Sequence, residues 1–173
     1  MIILENKGNR ALGKLVLSNP IAWVAFGFGA GLLRPGPGTW GTLVAFPLHY
    51  LLSDFFVPDV LLLFWLSIFF FGIKISSMTA HIVGQKDHSG IVIDEIVGFG
   101  VVLACLPSEL FTQVVAFAIF RIYDILKPFG IRTIDKHLKG GLGVMLDDLV
   151  AGVYCLITIF VLSSLVPDFG WEL

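Results

Sequence analysis

Short blocks of acidic residues interrupt the long apolar segments of this chain, and they constrain its fold more than any other feature. The five acids are Asp94, Glu95, Asp124, Asp147 and Asp148. The chain is 57% hydrophobic and 14% charged, and its mean hydropathy of +0.92 is typical of an integral membrane protein. Because an ionised side chain is costly in hydrocarbon, acids in such segments indicate a functional site. The blocks predict one oxygen-rich site, which suits Mg²⁺ or Mn²⁺.

The length of 173 residues and the lack of internal repeats predict a single domain over residues 1–173. The net charge is −2, so no basic excess indicates a nucleic-acid partner. Cys105 and Cys155 lie in apolar stretches without metal-ligand spacing, and both are predicted to be buried apolar residues. Residues 1–18 mix basic residues with leucines, which predicts a short interfacial helix with a basic face.

The first apolar stretch, residues 21–53, is interrupted by a loop rich in Gly and Pro between Arg34 and Thr39. Neither half is long enough to span about 30 Å of hydrocarbon at about 1.5 Å per residue. The stretch is therefore predicted to be broken or re-entrant, with protein or a wet cavity receiving the freed backbone. Further helices are predicted at 59–83, 91–106, 109–127 and 143–166. The expected fold is an all-α, polytopic integral membrane helical bundle.

Basic residues orient these helices, because short cytoplasmic loops carry an excess of Lys and Arg. The N-terminal segment and residues 121–141 are basic, whereas the 54–59 turn, the 107–108 turn and the C-terminal tail lack Lys and Arg. This alternation predicts five crossings, with residues 21–53 counted as one and the N-terminus in the cytoplasm. All five acids then fall at the cytoplasmic leaflet, near the headgroups. The cations that can reach this layer are Arg34, Arg121, Lys127 and Lys139.

The first two acidic blocks each have a structural explanation beside the functional one. Asp94 and Glu95 point about 100° apart on a helix, so one can face a metal while the other faces a neighbouring helix. The alternative is structural: the helix dipole stabilises acidic residues at the N-terminus of a helix. Arg121, Asp124 and Lys127 form a charged stripe along one helix. This stripe is either an intrahelical ion-pair ladder or a metal ligand beside cations that hold a phosphate.

Glycine-rich turns accompany the acids. Residues 139–143 precede Asp147 and Asp148, and their glycines permit a tight turn that exposes backbone N–H groups to an anion. Helix capping by the two acids is the alternative. Residues 34–41 contain G-x-G-x-x-G, but the chain has no β-α-β alternation, which excludes a dinucleotide fold. That loop either binds a phosphate or headgroup or is a plain helix break. His88 is either a general acid/base or an exposed loop histidine.

Four blocks of the sequence together resemble the phosphatidylglycerophosphatase A family. They are RPGPGTWGT (34–42), DH (87–88) with IVIDEIVG (91–98), FRIYDILKP (120–128) and KGGLGVMLDDLVAG (139–152). The signatures of cysteine, aspartyl-phosphate and histidine-nucleophile phosphatases are absent from the sequence. The resemblance implies a multi-pass helical enzyme of the bacterial inner membrane. It would hydrolyse the phospholipid phosphatidylglycerophosphate to phosphatidylglycerol and inorganic phosphate with Mg²⁺. The loop charges separately predict that its site faces the cytoplasm.

The resemblance and the acidic blocks together give each candidate residue a role. The predicted metal ligands are Asp94, Glu95, Asp124, Asp147 and Asp148, of which Asp94, Glu95 and Asp148 are also predicted to be catalytic. The predicted substrate-binding residues are Arg34, Thr39, Lys127 and Lys139. Direct attack by water is favoured, and a carboxylate nucleophile stays open, as does the oligomeric state. The rival interpretations are an ion- or proton-coupled carrier and a structural membrane subunit.

Overall fold

A computed structural model describes residues 7–85, 88–128, 130, 131, 133, 138 and 140–166. Its helices are α1 (Lys7–Ser18), α2 (Pro20–Ala25), α3 (Pro37–Ser53), α4 (Pro58–Val83), α5 (Ile93–Cys105), α6 (Leu110–Leu126) and α7 (Gly141–Leu165). A 3₁₀ segment, Gly27–Leu32, joins α2 to α3. The described residues contain no β-strand, so the predicted all-α fold is confirmed. The helices predicted at 59–83, 91–106 and 109–127 correspond to α4, α5 and α6.

The last helix begins slightly earlier than the sequence predicted. Its first residue is Gly141 rather than residue 143, because Gly140 adopts φ 79° and turns the chain into the helix. A positive φ of this size is readily available only to glycine. The tight turn predicted for this glycine-rich segment therefore lies directly before α7.

The first apolar stretch is broken, as predicted. The chain leaves α2 through Gly27, Phe28 and Gly29, which all have positive φ, and α3 begins with Pro37 after Gly36 at φ 69°. Proline suits the first position of a helix because the N–H it lacks would have no partner there. The freed backbone is received by the protein, since the N–H of Val92 donates to the carbonyl oxygen of Ala25 at 2.9 Å.

Helix α5 lies at the centre of the bundle. It packs against α3, α4 and α7, and almost every residue from Ile93 to Ala104 is buried. A helix that is apolar and buried on all sides is typical of a protein core. With 13 residues it is about 20 Å long. The acids at its first turn are therefore carried into the interior at one end of the bundle.

Two glycines allow α5 and α7 to approach each other closely. A Cβ on Gly98 would lie 3.0 Å from the carbonyl oxygen of Asp148, and a Cβ on Gly152 would lie 3.1 Å from that of Gly98. Small residues at helix crossings permit such contact between backbones. Asp94 precedes Gly98 by one turn, and Asp148 precedes Gly152 by one turn. The crossing therefore brings an acid of each helix to the same place.

Helices α4 and α7 are long and apolar enough to cross a membrane. They contain 26 and 25 residues, which is about 39 and 37 Å against a hydrocarbon core of about 30 Å. Large apolar side chains are exposed on their outer faces, as expected for contact with lipid. Examples are Leu63, Phe70, Phe71, Phe160 and Leu165. The fold is thus that of a membrane protein, and the five predicted crossings stay a prediction.

The remaining expectations from the sequence have mixed outcomes. Helix α1 lies within the predicted interfacial segment, with Val16 buried and Lys14 exposed, and its contact with a membrane surface stays a prediction. Cys155 is buried as predicted, and its thiol donates to the carbonyl oxygen of Ala116 at 3.3 Å. The prediction for Cys105 is wrong, because this residue is exposed where α5 ends.

Candidate active site

A cavity of about 370 Å³ opens at one end of the bundle. The C-terminal ends of α4 and α6 meet the N-terminal ends of α3, α5 and α7 there. All five predicted metal ligands line it, namely Asp94, Glu95, Asp124, Asp147 and Asp148. Two cations, Arg121 and Lys127, lie in the same wall. The structure thus brings together acids from three separate sequence blocks, as the sequence predicted.

Three of these acids form a tight group, which we call the three-acid cluster: Asp94, Glu95 and Asp148. One carboxylate oxygen from each of the three lies within 4.8 Å of the other two, and Asp148 is 2% exposed. One oxygen of Asp94 and one of Glu95 are buried without a hydrogen-bond partner among the described residues. Buried carboxylates this close repel one another unless a cation lies between them. This donor set fits a hard divalent cation such as Mg²⁺.

Asp147 is engaged by a lysine from the end of α6. Lys127 follows the last residue of α6 in the left-handed conformation, with φ 46° and ψ 56°, and its ammonium forms an ion pair with Asp147. The other oxygen of Asp147 accepts the backbone N–H of Asp148 at 3.0 Å. Asp147 thus links a cation in the cavity wall to the backbone beside the three-acid cluster.

Arg121 ties three helices together beside the cluster. Its guanidinium lies 2.5 Å from Asp124 and 3.8 Å from Glu95, and it donates to the hydroxyl of Thr42 at 3.2 Å. That hydroxyl donates in turn to the carbonyl oxygen of Gly38 at 2.9 Å. Asp124 therefore belongs both to the ion-pair ladder and to the acidic cavity. The sequence placed Arg121 in the charged stripe but did not predict that it would join α3, α5 and α6.

The glycines of the first block are needed for close packing against α5. A Cβ on Gly38 would overlap a carboxylate oxygen of Glu95 and would lie 3.1 Å from the guanidinium of Arg121. A Cβ on Gly41 would lie 2.6 Å from that of Val92. The start of α3 lines the cavity through Gly36, Pro37 and Gly38. This loop is therefore more than a plain helix break, because it shapes the wall of the site.

Alanine at the two glycines should have different consequences. Gly38→Ala displaces the flexible ends of Glu95 and Arg121, so we expect turnover to fall about tenfold or more with little loss of stability. Gly41→Ala presses on the branched carbon and backbone of Val92, so we expect a loss of about 1–3 kcal/mol in the free energy of unfolding. Phosphate release and thermal unfolding in detergent measure the two effects. Wild-type turnover in Gly38→Ala would contradict this interpretation of the wall.

The predicted substrate-binding residues occupy different positions. Lys127 lines the cavity, whereas Arg34 and Thr39 do not: Arg34 is exposed and Thr39 is half-buried. Lys139 lies outside the described residues, as does Asp87 of the second block. The substrate-binding roles of these residues stay predictions.

His88 lies in the cavity wall, so the interpretation as an exposed loop histidine is wrong. The ring is half-buried and packs on the ring of Phe26 at 5.4 Å between centroids. Its Nδ1 accepts the backbone N–H of Gly90 at 3.0 Å. Burial, and then the positive charge of Arg34, lower the pKa of His88. The second sequence block and the acid/base alternative had both pointed to His88, but the sequence did not predict the packing on Phe26 that holds this ring in the wall.

These features define a helical membrane protein with a buried acidic site flanked by cations. A family model described as phosphatidylglycerophosphatase A matches residues 23–163. Phosphatidylglycerophosphatase A of Haemophilus influenzae is 42% identical over 156 residues, which are 90% of this chain and 96% of that protein. The chain therefore belongs to the phosphatidylglycerophosphatase A family and is a phosphatase, and the resemblance of the four sequence blocks is confirmed.

Two further relatives extend the comparison. Phosphatidylglycerophosphatase A of Escherichia coli strain K12 is also 42% identical over 156 residues, covering 88% of this chain and 89% of that protein. A protein of Bacteroides thetaiotaomicron named "Putative phosphatidylinositol-3-phosphatase" is 37% identical over 146 residues, covering 80% of this chain and 90% of that protein. No solved structure matches the fold.

Proposed function

We propose that this phosphatase hydrolyses the terminal phosphomonoester of phosphatidylglycerophosphate to phosphatidylglycerol and inorganic phosphate. It would use Mg²⁺ and act at the cytoplasmic leaflet of the bacterial inner membrane. The two relatives named for this reaction, each 42% identical to the chain, support the substrate. The observation that carries the mechanism is the convergence of Asp94, Glu95 and Asp148 within 4.8 Å.

The three-acid cluster would hold Mg²⁺, and Asp124 and Asp147 stand in the same wall as further candidate ligands. When bound there, Mg²⁺ supplies charge neutralisation for the phosphate and lowers the pKa of water. The unpartnered oxygens of Asp94 and Glu95 support this assignment, since buried carboxylates need a cation or hydrogen-bond donors. Glu95 is further oriented by Arg121 at 3.8 Å.

The chain's own groups would position the phosphate and the attacking water. The ammonium of Lys127 lies in the cavity wall, where it can donate to phosphate oxygens and stabilise the charge of the transition state. Glu95 would take a proton from the water. The oxygen of that water would bond to phosphorus as the bond from phosphorus to the glycerol oxygen breaks, and the glycerol oxygen would leave with the proton returned from Glu95. Neither cysteine lines the cavity, which favours attack by water over a thiol nucleophile. A carboxylate nucleophile is the alternative.

The depth of the site supports action at the headgroup level. Asp148 lies about 10 Å from the N-terminus of α7, a helix of about 37 Å, so it is nearer the end than the middle. Trp40, at the start of α3 close to the cavity, is 42% exposed. Tryptophan is enriched at membrane–water interfaces. A phosphate could therefore enter the cavity while the acyl chains of the lipid stay in the bilayer.

The orientation follows from the charges in the loops. Basic residues cluster in the N-terminal segment and between α6 and α7, and the described ends of α6 and α7 line the cavity. Under the positive-inside rule this is the cytoplasmic side. We accordingly propose five crossings, with α2 and α3 contributing one between them.

The rival function is an ion- or proton-coupled carrier. Carriers bind their ions near the middle of the bilayer, at discontinuous helices. The broken first stretch fits that pattern, but the acids lie toward one end of α5 and α7. The phosphatase family and the position of the cavity together favour the enzyme.

Phosphate release from phosphatidylglycerophosphate by the purified protein in detergent tests the proposal. We expect release that requires Mg²⁺, stops with EDTA and returns when excess Mg²⁺ is added. Phosphatidylinositol 3-phosphate serves as a second substrate, because the name of the Bacteroides relative concerns that lipid. No release from a folded sample would contradict the proposal, and ion flux in liposomes would then test the carrier.

Lys127→Met should lower kcat/KM roughly tenfold or more, because a hydrogen bond from a charged donor to the phosphate is lost. Lys127→Arg keeps the charge, so its kcat/KM should fall less than that of Lys127→Met. Lys74→Met removes an exposed lysine of α4, away from the cavity, and serves as the matched control. Equal rates for Lys127→Met and Lys74→Met would exclude Lys127 from phosphate binding.

A further inference from the structure

The substrate proposed above carries two phosphates, and the acids account for only one of them. The terminal phosphomonoester must reach the three-acid cluster, whereas a phosphodiester joins the headgroup to the diacylglycerol. We propose that His88 and Arg34 form a second phosphate subsite at the rim of the cavity, and that this subsite binds the phosphodiester. This inference rests on the proposed function. It means that the rim determines which lipid phosphomonoesters the enzyme accepts.

The rim is a built part of the fold. The 3₁₀ segment packs against the loop before α5 so closely that a Cβ on Gly31 would overlap the carbonyl oxygen of Gly90. The ring of Phe26 packs on that of His88, and the N–H of Val92 donates to the carbonyl oxygen of Ala25, the last residue of α2. These contacts hold the loop that carries His88 against the segment that leads to the rim arginine.

His88 presents a hydrogen-bond donor of fixed identity. Its Nδ1 accepts the N–H of Gly90 at 3.0 Å, so in the neutral ring the proton resides on Nε2. Burial and the nearby charge of Arg34 lower its pKa, which favours this neutral form. Because Nδ1 is occupied, the Nε2–H edge is the one that a ligand in the cavity can use. A neutral N–H donor beside a guanidinium suits the single negative charge of a phosphodiester.

The order of burial assigns the two phosphates to different ends. Asp148 is buried at the crossing of α5 and α7, and His88 is half-buried in the wall. Arg34 is exposed, two residues before Gly36 of the cavity wall and near enough to His88 for its charge to act on that ring. A headgroup that enters from the bilayer therefore meets the arginine and the histidine before its terminal phosphate reaches the acids. The phosphodiester, attached to the diacylglycerol, stays nearest the lipid. Exposed Leu33, next to Arg34, lies where apolar contact with that lipid is expected.

The test compares two lipid phosphomonoesters in detergent. Phosphatidylglycerophosphate has a phosphodiester, whereas phosphatidic acid has its phosphomonoester directly on the diacylglycerol. In Arg34→Ala and in His88→Ala we expect kcat/KM for the first lipid to fall about tenfold or more, with little change for the second. His88→Gln keeps an N–H donor and Arg34→Lys keeps the charge, so each should recover part of the loss.

Two further arms separate binding at the rim from a general loss of structure. Phosphatidylglycerol retains the phosphodiester, so its inhibition constant should rise in both alanine variants, while inhibition by inorganic phosphate should not change. If the wild type does not turn over phosphatidic acid, the inhibition constants for phosphatidylglycerol and inorganic phosphate take the place of the comparison between the two lipids. His81→Ala removes an exposed histidine of α4 and should leave both lipids unaffected.

The failures of the two proposals are distinguishable. If wild type releases no phosphate from phosphatidylglycerophosphate, the proposed function itself fails. If wild type is active but the alanine variants lose equally on both lipids, the residues act on the transferred phosphate or on the fold, and the subsite is overturned. The subsite is also overturned if the alanine variants keep the wild-type ratio of kcat/KM between the two lipids and the wild-type inhibition by phosphatidylglycerol.

Discussion

Asp148→Asn is expected to abolish phosphate release and to leave the protein folded. The side chain keeps its shape but loses the charge that a divalent cation requires. Removal of a residue that only supports a metal ligand typically costs about 10–100-fold in affinity or activity, so loss of a ligand should cost at least about a hundredfold. Stability should not fall, because one charge fewer in a buried acidic group relieves repulsion.

The measurement is kcat at saturating Mg²⁺, with circular dichroism and thermal unfolding in detergent on the same samples. Asp54→Asn is the matched control, since Asp54 is an exposed acid at the end of α3 that lies away from the cavity. It should retain wild-type turnover. A folded Asp148→Asn protein with substantial activity would remove this residue from the metal site.

Arg121→Met is expected to destabilise the fold and to inactivate the enzyme together. Arg121 is paired with Asp124 and Glu95, and all three side chains are only 13% exposed. Removing the cation leaves two largely buried carboxylates without their countercharge, which typically costs about 3–5 kcal/mol. The hydrogen bond to Thr42 of α3 is lost as well, so α6 loses the side chain that connects it to α3 and α5.

A double variant separates charge balance from catalysis. Asp124→Asn combined with Arg121→Met removes one unpaired carboxylate, so part of the lost stability should return while turnover stays low. Arg121→Lys keeps the charge but lacks the planar guanidinium, so its stability should lie between that of wild type and that of Arg121→Met. The stability of wild type, the two Arg121 variants and the double variant is measured by unfolding in detergent that is titrated with SDS. An Arg121→Met protein as stable as wild type would contradict the role of this residue as a tie.

The sequence predicted much of the helical framework because its signals are local. Long apolar runs specify α4 and α7, and the loop that contains Gly36 specifies the break before α3. The convergence of the acids was also predictable, because the positive-inside rule puts all of their helix ends on one side. Local patterns could therefore indicate which end of the bundle carries the site.

The partners of each acid were not predictable, because they depend on contacts between distant segments. Asp147 pairs with Lys127 only because the lysine adopts a left-handed conformation at the end of α6. The approach of α5 to α7 depends on Gly98 and Gly152. Both lie in the blocks that resemble the family, but no pattern in the sequence pairs one with the other. His88 enters the wall through its packing on a ring from a segment more than 60 residues away in sequence. Single-sequence patterns do not specify such contacts.

Binding of Mn²⁺ to the purified protein, followed by electron paramagnetic resonance, tests most directly whether the three-acid cluster holds a divalent cation. Mn²⁺ takes the same oxygen ligands as Mg²⁺ and gives a signal that is independent of turnover. We predict that wild type binds Mn²⁺, that Mg²⁺ displaces it, and that Asp94→Asn and Asp148→Asn lose the binding while they stay folded. Binding that is unchanged in both variants would contradict the cluster as the metal site.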